Sequence, residues 1–178
     1  IKQIIQSVIK NIIYSMYYNK ITTNDDKLFY NNKLLRSSLS INEYIHPNTK
    51  YVVFTHKKTI TKYNLFIFIF NRGNKSGGNY FHFHFHYLQK LLPFFELNNI
   101  KLAIPLNTLD FQKEILFKLV PKSNIEFLDI YQYNYEIINA YTGDYISHNL
   151  IPTQLFDIYQ NLGSQYIKAI ENENIVFI

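Results

Sequence analysis

Apolar residues stand at Phe81, Phe85, Leu88, Leu92 and Phe95, with gaps of four, three, four and three. That spacing puts one greasy stripe along a helix and predicts a helix over about residues 80–97. Pro93 should kink it or mark a break. Asn98 and Asn99 end it, because short amides prefer caps and turns. The chain from Ile100 to Leu106 is then extended, since Pro105 pushes the residues before it toward β geometry. A second stripe, Leu155, Phe156, Tyr159, Leu162, Tyr166 and Ile167, predicts a helix starting at Pro152, where the missing N–H costs nothing; Gly163 weakens it slightly. A third stripe runs through Ile4, Ile5, Val8, Ile9, Ile12, Ile13 and Met16, opposite Lys2, Gln6, Lys10 and Asn11. It predicts an amphipathic helix over Ile1 to Tyr18, docked on the domain or on a neighbour.

Other stretches read as β structure, being rich in β-branched and aromatic residues. They are Tyr51 to Thr55, Thr59 to Asn71, Ile104 to Val120 with an interruption near Asp110, Ile125 to Asn139, and Asn174 to Ile178. The run LFIFIF is apolar on both faces, as a central strand would be. Pro121 to Asn124 is a turn, so the two long runs around it form an extended hairpin. Residues 19–48 read as irregular, 72–79 as a polar loop, and 141–149 as a loop. The resulting order is β-α-β-β-α-β with an extra strand in front. The expected fold is α+β: a ferredoxin-like split β-α-β with a long hairpin, in two parts, an N-terminal helical extension over 1–48 and a domain over 49–178.

Composition changes this picture modestly. Of 178 residues, 47% are hydrophobic and only 17% charged, against about a quarter in ordinary domains. Phe, Tyr, Ile, Asn and Lys all have AU-rich codons, so the bias reads first as an AT-rich genome, organellar, parasitic or viral. A net charge of +5 and a pI near 9.2 favour an anionic partner mildly. Arg36 and Arg72 are the two arginines, so bidentate phosphate contacts are scarce. With no cysteine there is neither a disulfide framework nor a thiolate metal site. The longest apolar run falls well short of the ~18 residues of a membrane span, and no secretory signal or Arg-rich transit peptide is expected from the first residues.

Local marks narrow the expectation. Ile100 to Thr108 (IKLAIPLNT) resembles the second strand of the small-subunit ribosomal protein S-ten family, which carries an Ile-Pro-Leu-Pro-Thr run after its first helix. Here Asn107 stands for the second proline. Lys113 to Phe127 is similar to that family's strand, proline-marked hairpin tip and following Phe. Leu150 to Leu155 is similar to the Pro-Thr-rich start of its second helix. The resemblance covers about Lys62 to Ile178. The family is basic after its Pro-Thr pair, where Leu109, Asp110 and Phe111 stand here. Its third strand is also basic, where Tyr131-Gln132-Tyr133-Asn134-Tyr135 stands here. The resemblance implies a non-catalytic structural constituent of the head of a small ribosomal subunit, organellar and most simply mitochondrial. Its expected partners are the 3′ domain of the rRNA and neighbouring ribosomal proteins. Expected RNA contacts are Arg72, Lys75, Lys113, Lys118, Lys122, Ser123 and Asn124. The alternative is an accessory, non-catalytic subunit of an organellar membrane complex, suggested by the low charge and the Ile-rich start.

Other chemistry weighs less. His82 and His86 share a helix face at i, i+4, a spacing that could hold zinc, but no HExxH pattern and no Cys accompany them; the three histidines, His84 included, read as facing solvent or RNA. In Arg72 to Gly78 the Lys75-Ser76 pair precedes Gly77-Gly78, whereas a P-loop places it after both glycines. That loop reads as solvated or as touching RNA phosphate. Asp25-Asp26 and Glu171/Glu173 read as solvated charges, and Ser147-His148 has no triad context. Tyr131, Tyr133 and Tyr135 would line one strand face, against a protein or stacked on bases. No cofactor or metal is expected.

Overall fold

The computed structural model describes residues 3–7, 13–38, 56–69, 79–144 and 153–173. They form a mixed α+β protein. Its strands are β1 (Gln3–Ser7), β2 (Ile13–Asn24), β3 (Lys27–Tyr30), β4 (Lys33–Leu34), β5 (Thr59–Ile67), β6 (Lys101–Pro105), β7 (Ile125–Leu128) and β8 (Asn134–Gly143). All belong to one sheet in the order β4-β3-β2-β8-β5-β6-β7, with β1 added to β2. Helix α1 spans 80–96 in three steps: an α turn (Tyr80–His82), a π turn (Phe83–Tyr87) and a 3-10 run (Leu88–Glu96). Helices α2 (Asp110–Leu119) and α3 (Thr153–Glu173) follow.

Several expectations hold. Helix α1 spans 80–96 of the predicted 80–97 segment and takes 3-10 form around Pro93, but its buried face runs through Phe83, Tyr87, Leu88, Leu91 and Phe94, while Phe81 and Phe95 of the predicted stripe are exposed. Strand β6 ends at Pro105, β5 fills most of the Thr59–Asn71 run, and α3 begins at Thr153. Three expectations are corrected. The described residues of the first eighteen, 3–7 and 13–18, are strand and not helix. Six of the first thirteen are isoleucine, whose branched Cβ favours strands, and β1 pairs antiparallel with β2 from Gln3↔Tyr17 to Ser7↔Ile13. Strand β2 is interior, bonded to β8 along its other edge, so the expected N-terminal helical extension supplies part of the sheet instead. Second, Ile104 to Val120 is not one strand: it splits after Pro105, and Asp110 opens helix α2. Phe111, Ile115, Leu116 and Leu119 then share a side, and the Gln112 side chain accepts from the Leu109 N–H at 3.1 Å. Third, there is no long hairpin. β7 runs parallel to β6, and β6 parallel to β5. The sheet is therefore not the antiparallel layer of a split β-α-β. Tyr51 to Thr55, Asn174 to Ile178 and the 72–78 loop lie outside the described residues.

A geometric conflict reveals the shape of the sheet. Leu128 closes β7 opposite Pro105, two residues past the Ile67↔Ala103 pair, whereas β8 opens with Asn134 opposite Thr59. Along straight strands those levels differ by about 33 Å, yet the connection from Leu128 to Asn134 reaches only about 20 Å. The strands must bend. They do so at Asn64 and Asn139, with φ of 55° and 54°, adjacent in β5 and β8 and skipped by the register between Tyr63↔Ile138 and Leu65↔Ala140. Asn tolerates this left-handed geometry better than most residues. The Asn139 Nδ2 donates to Asn64 Oδ1 at 3.1 Å, and the Tyr17 hydroxyl donates to Asn139 Oδ1 at 3.0 Å. Asn19 of β2 stands at the same level, skipped between Tyr18↔Ala140 and Lys20↔Ile138. The bend brings Lys62 on β5 to Glu126 on β7 at 2.5 Å.

Folding the sheet on itself creates two cores. Leu65, Ile67, Ile69, Ala103 and Leu128 face inward against Tyr18, Ile21, Leu28, Tyr135 and Ile137. The opposite face, through Phe66, Phe68, Leu102 and Ile104, carries all three helices by way of Phe83, Tyr87, Leu88, Leu91, Leu116, Leu155 and Leu162. The described part of the two-sided apolar run, Leu65 to Ile69, is thus buried on both faces. Each fully buried side chain of this size contributes about 1.5–3 kcal/mol. At the end of β8, a Cβ on Gly143 would lie 1.9 Å from the Lys90 carbonyl oxygen. Only glycine lets β8 and α1 approach so closely.

Candidate ligand site at the carboxyl ends of the parallel strands

The parallel strands β8-β5-β6-β7 deliver their carboxyl ends to one edge. Phe83, in the first turns of α1, meets Phe68 just past β5 with ring centroids 6.4 Å apart, and meets Phe111, in the first turn of α2, at 5.8 Å. Tyr80 lies over Phe111 at 5.4 Å and over His84 at 4.1 Å. Tyr159 of α3 completes the cluster. Its oxygen is 2.9 Å from His84 Nδ1, and its hydroxyl donates to the His84 carbonyl oxygen at 3.0 Å.

The π turn is what makes this possible. The Leu88 N–H reaches back five residues to the Phe83 carbonyl, widening the helix, and such turns are frequent at functional sites. Two carbonyls within it accept from side chains: His84 from Tyr159, and Phe85 from Gln89 Nε2 at 2.6 Å. His84 is only 7% exposed. Burial holds its imidazole below the ordinary pKa of 6.5, because a charged ring would lose its water. Burial likewise raises the Tyr159 phenol, with the neighbouring Tyr80 adding to the effect. The His84 Nε2 atom is buried without a hydrogen-bond partner. An unsatisfied buried acceptor costs about 1–3 kcal/mol, so the arrangement asks for an explanation. His84 thus does not face solvent as expected from sequence. His82 and His86 do share a face, half-buried, with Nδ1 atoms 2.8 Å apart and rings stacked at 5.0 Å. Among the described residues no group of three or more His, Cys, Asp or Glu could hold a metal.

The residues expected to touch RNA lie elsewhere. Arg72 and Lys75 fall outside the described residues. Lys113 and Lys118 sit on α2, about 140° apart around the helix, and each faces an acid: Asp110 at 3.9 Å and Glu114 at 3.5 Å. Lys122 lies over the Phe117 ring at 4.7 Å, and Lys122, Ser123 and Asn124 form an exposed 3-10 turn before β7. This turn is not a hairpin tip; it connects a helix to a parallel strand. Asn124 also borders a groove of about 540 Å³ at the opposite, amino-end edge, with Phe95, Asn98, Asn99 and Lys101. The tyrosines do not form a ladder. Tyr131 is exposed in a turn, Tyr133 half-buried and Tyr135 buried, its oxygen accepting from the Asp129 N–H at 3.0 Å. Asp25 is not simply solvated, since it pairs with Lys57, and Asp26 lies 3.7 Å from Lys27. Sequence reasoning passed over Tyr159, which the stripe of α3 assigned to the core, and Tyr80; nothing local announces that either meets a histidine.

The fold defines a mixed α+β protein with a four-stranded parallel segment inside a bent sheet, three helices on one face and an aromatic-histidine cluster at the carboxyl edge. Comparison with protein-family models, with curated proteins and with solved structures finds no match. Among the described residues no helix is long and apolar enough to cross a membrane.

Proposed function

We propose that this chain is a ligand-binding α+β unit whose site lies at the carboxyl ends of β5 and β8, and that its ligand is of the mononucleotide kind. Strand β5 has β6 on one side and β8 on the other. The chain steps from β5 through β6 to β7, then returns to β8 on the opposite flank. In α/β sheets ligands bind outside the carboxyl ends of the parallel strands, and β-α-β-α-β units of this order bind mononucleotides there. Here that edge lies beside α1 and α3, which share one face of the bent sheet. Topology supplies the place and not the chemistry. The observation that carries the reading is the exposed Tyr80 ring, which with Phe111 beside it offers aromatic surface for a base at that edge.

A second reading keeps the expectation from sequence: a structural constituent of an organellar small ribosomal subunit. The exposed Lys122-Ser123-Asn124 turn and the net charge of +5 favour it. One titration separates the two. The isotope-labelled chain is followed by NMR while AMP, UMP or a short single-stranded RNA is added. Shifts centred on Tyr80, His84, Phe111 and Tyr159 with the mononucleotides support the ligand site. Shifts confined to Lys113 through Asn124, seen with RNA alone, sink it in favour of the ribonucleoprotein role.

A further inference from the structure

We infer that the groove at the amino-end edge of the parallel strands binds single-stranded RNA, one base lying inside it against Phe95 and the adjoining phosphate on Lys101. This rests on the ribonucleoprotein reading and gives its RNA a site of its own, remote from the aromatic cluster at the carboxyl edge.

The groove has room. Its volume of about 540 Å³ falls within the ~300–1,000 Å³ usual for ligand sites. Its walls are the C-terminal ends of α1, at Phe94 to Leu97, and of α2, at Leu119 and Val120. Between them the Asn98-Asn99 turn leads into β6, with Asn99 in the left-handed geometry at φ 60° that asparagine tolerates better than most residues. Asn98, Asn99, Lys101 and Asn124 all line the groove and are exposed. Among the described residues no hydrogen bond takes up the three asparagine amides. The Phe95 ring, 42% exposed, leaves an aromatic surface on the same wall.

Charge selects the partner. Lys20, Lys57, Lys62 and Lys118 each face a carboxylate, whereas Lys101 has none among the described residues. Lys122 follows Pro121, which also lines the groove. Glu96 is the neighbouring acid, and it is exposed outside the lining. In a chain of net charge +5 this rim suits a polyanion and repels a basic peptide. The walls then decide which part of the polyanion enters. The last carbonyls of a helix lack partners within it, and the helix dipole puts its negative end there. Two such ends flank the groove, so a phosphate stays at the rim beside Lys101 and a base goes inside. The exocyclic amine of the base donates to the carbonyl ends, its edge meets the asparagine amides, and its face stacks on Phe95. Splayed bases of single-stranded RNA are held in this way on aromatic side chains.

The test titrates the full chain, labelled with ¹⁵N, with oligo(C) and oligo(U) hexamers. Their rings match in size, but cytosine carries an amino group where uracil carries a carbonyl. Oligo(C) should shift Phe95, Asn98, Asn99, Lys101 and Asn124 together and bind roughly threefold more tightly than oligo(U). Salt should weaken it, as phosphate contacts require. Phe95→Ala should weaken binding about tenfold and Lys101→Glu about fivefold. Equal affinity for the two hexamers overturns the inference. So do RNA shifts confined to Lys113 through Asn124, an outcome that leaves the ribonucleoprotein reading standing. An oligo-arginine peptide that moves the groove residues when RNA does not overturns it in favour of a protein partner. If neither hexamer binds at millimolar concentration, inference and reading fall together. The wild-type comparison of the hexamers decides these outcomes even if a variant does not fold.

Discussion

Replacing Asn139 by Ala or by Gly separates the two things that residue does at the bend. Its backbone sits at φ 54°, and its amide accepts from Tyr17 and donates to Asn64. Alanine loses both contributions. The left-handed geometry costs an ordinary L-residue about 1–2 kcal/mol, and two exposed hydrogen bonds contribute about 0.5–1 kcal/mol each. Asn139→Ala should therefore destabilise by about 2–4 kcal/mol. Glycine loses the bonds but accepts the dihedral, so Asn139→Gly should cost about 1–2 kcal/mol. Urea unfolding monitored by far-UV circular dichroism reads the difference. With a slope of about 2 kcal/mol per molar, the two midpoints should stand about 0.5–1 M apart, Gly above Ala. Asn64→Ala and Asn64→Gly should repeat the order, and the Asn64/Asn139 double alanine should cost less than the two singles added, because the singles share one bond. Equal midpoints for the Ala and Gly variants would falsify the claim that the left-handed asparagines set the bend.

Gly143→Ala places a methyl against the Lys90 carbonyl and should destabilise by about 1–3 kcal/mol, as overpacking does; thermal unfolding checks it, and an unchanged midpoint would mean that β8 and α1 do not meet there. His84 is buried neutral with its pKa held below 6.5, so the unfolded chain binds its proton first as pH falls. Its contribution is complete above about 6.5, the ordinary unfolded value, and drains away as pH drops toward the folded value. Urea midpoints measured from pH 7.5 to 5 should show that slope, and His84→Phe should flatten it. Lys118→Ala removes a partly exposed i, i+4 pair with Glu114 and should change stability by less than about 0.5 kcal/mol; a larger loss in a denaturant titration would show that α2 depends on the Lys118 side chain.

Local sequence sufficed for elements whose signals were local. The helix itself, the Asn98-Asn99 stop and the Pro105 strand end survive in α1 and β6, because periodicity and proline geometry act over a few residues. The stripe does not, since α1 passes through a π turn and buries Phe83, Tyr87, Leu91 and Phe94 in place of Phe81 and Phe95. The same local logic misread Ile1 to Tyr18, where isoleucines fit a helical stripe and a strand equally well; pairing with Tyr17, Met16 and their neighbours settles the choice. It misread Leu109 to Val120 because aromatic and branched residues mask a helix whose start depends on a Gln112 side chain reaching back to Leu109.

What the chain determined by itself is therefore a set of segments, a composition rich in Phe, Tyr, Ile and Asn, and a mild positive charge. Only the folded molecule decided that β6 and β7 run parallel, that the sheet doubles over at Asn64 and Asn139, and that Tyr159 meets His84. Those facts depend on contacts between residues 23 apart for β6 and β7 and 75 apart for the other two, and no window of local pattern holds the hydrogen bonds and apolar area that fix them.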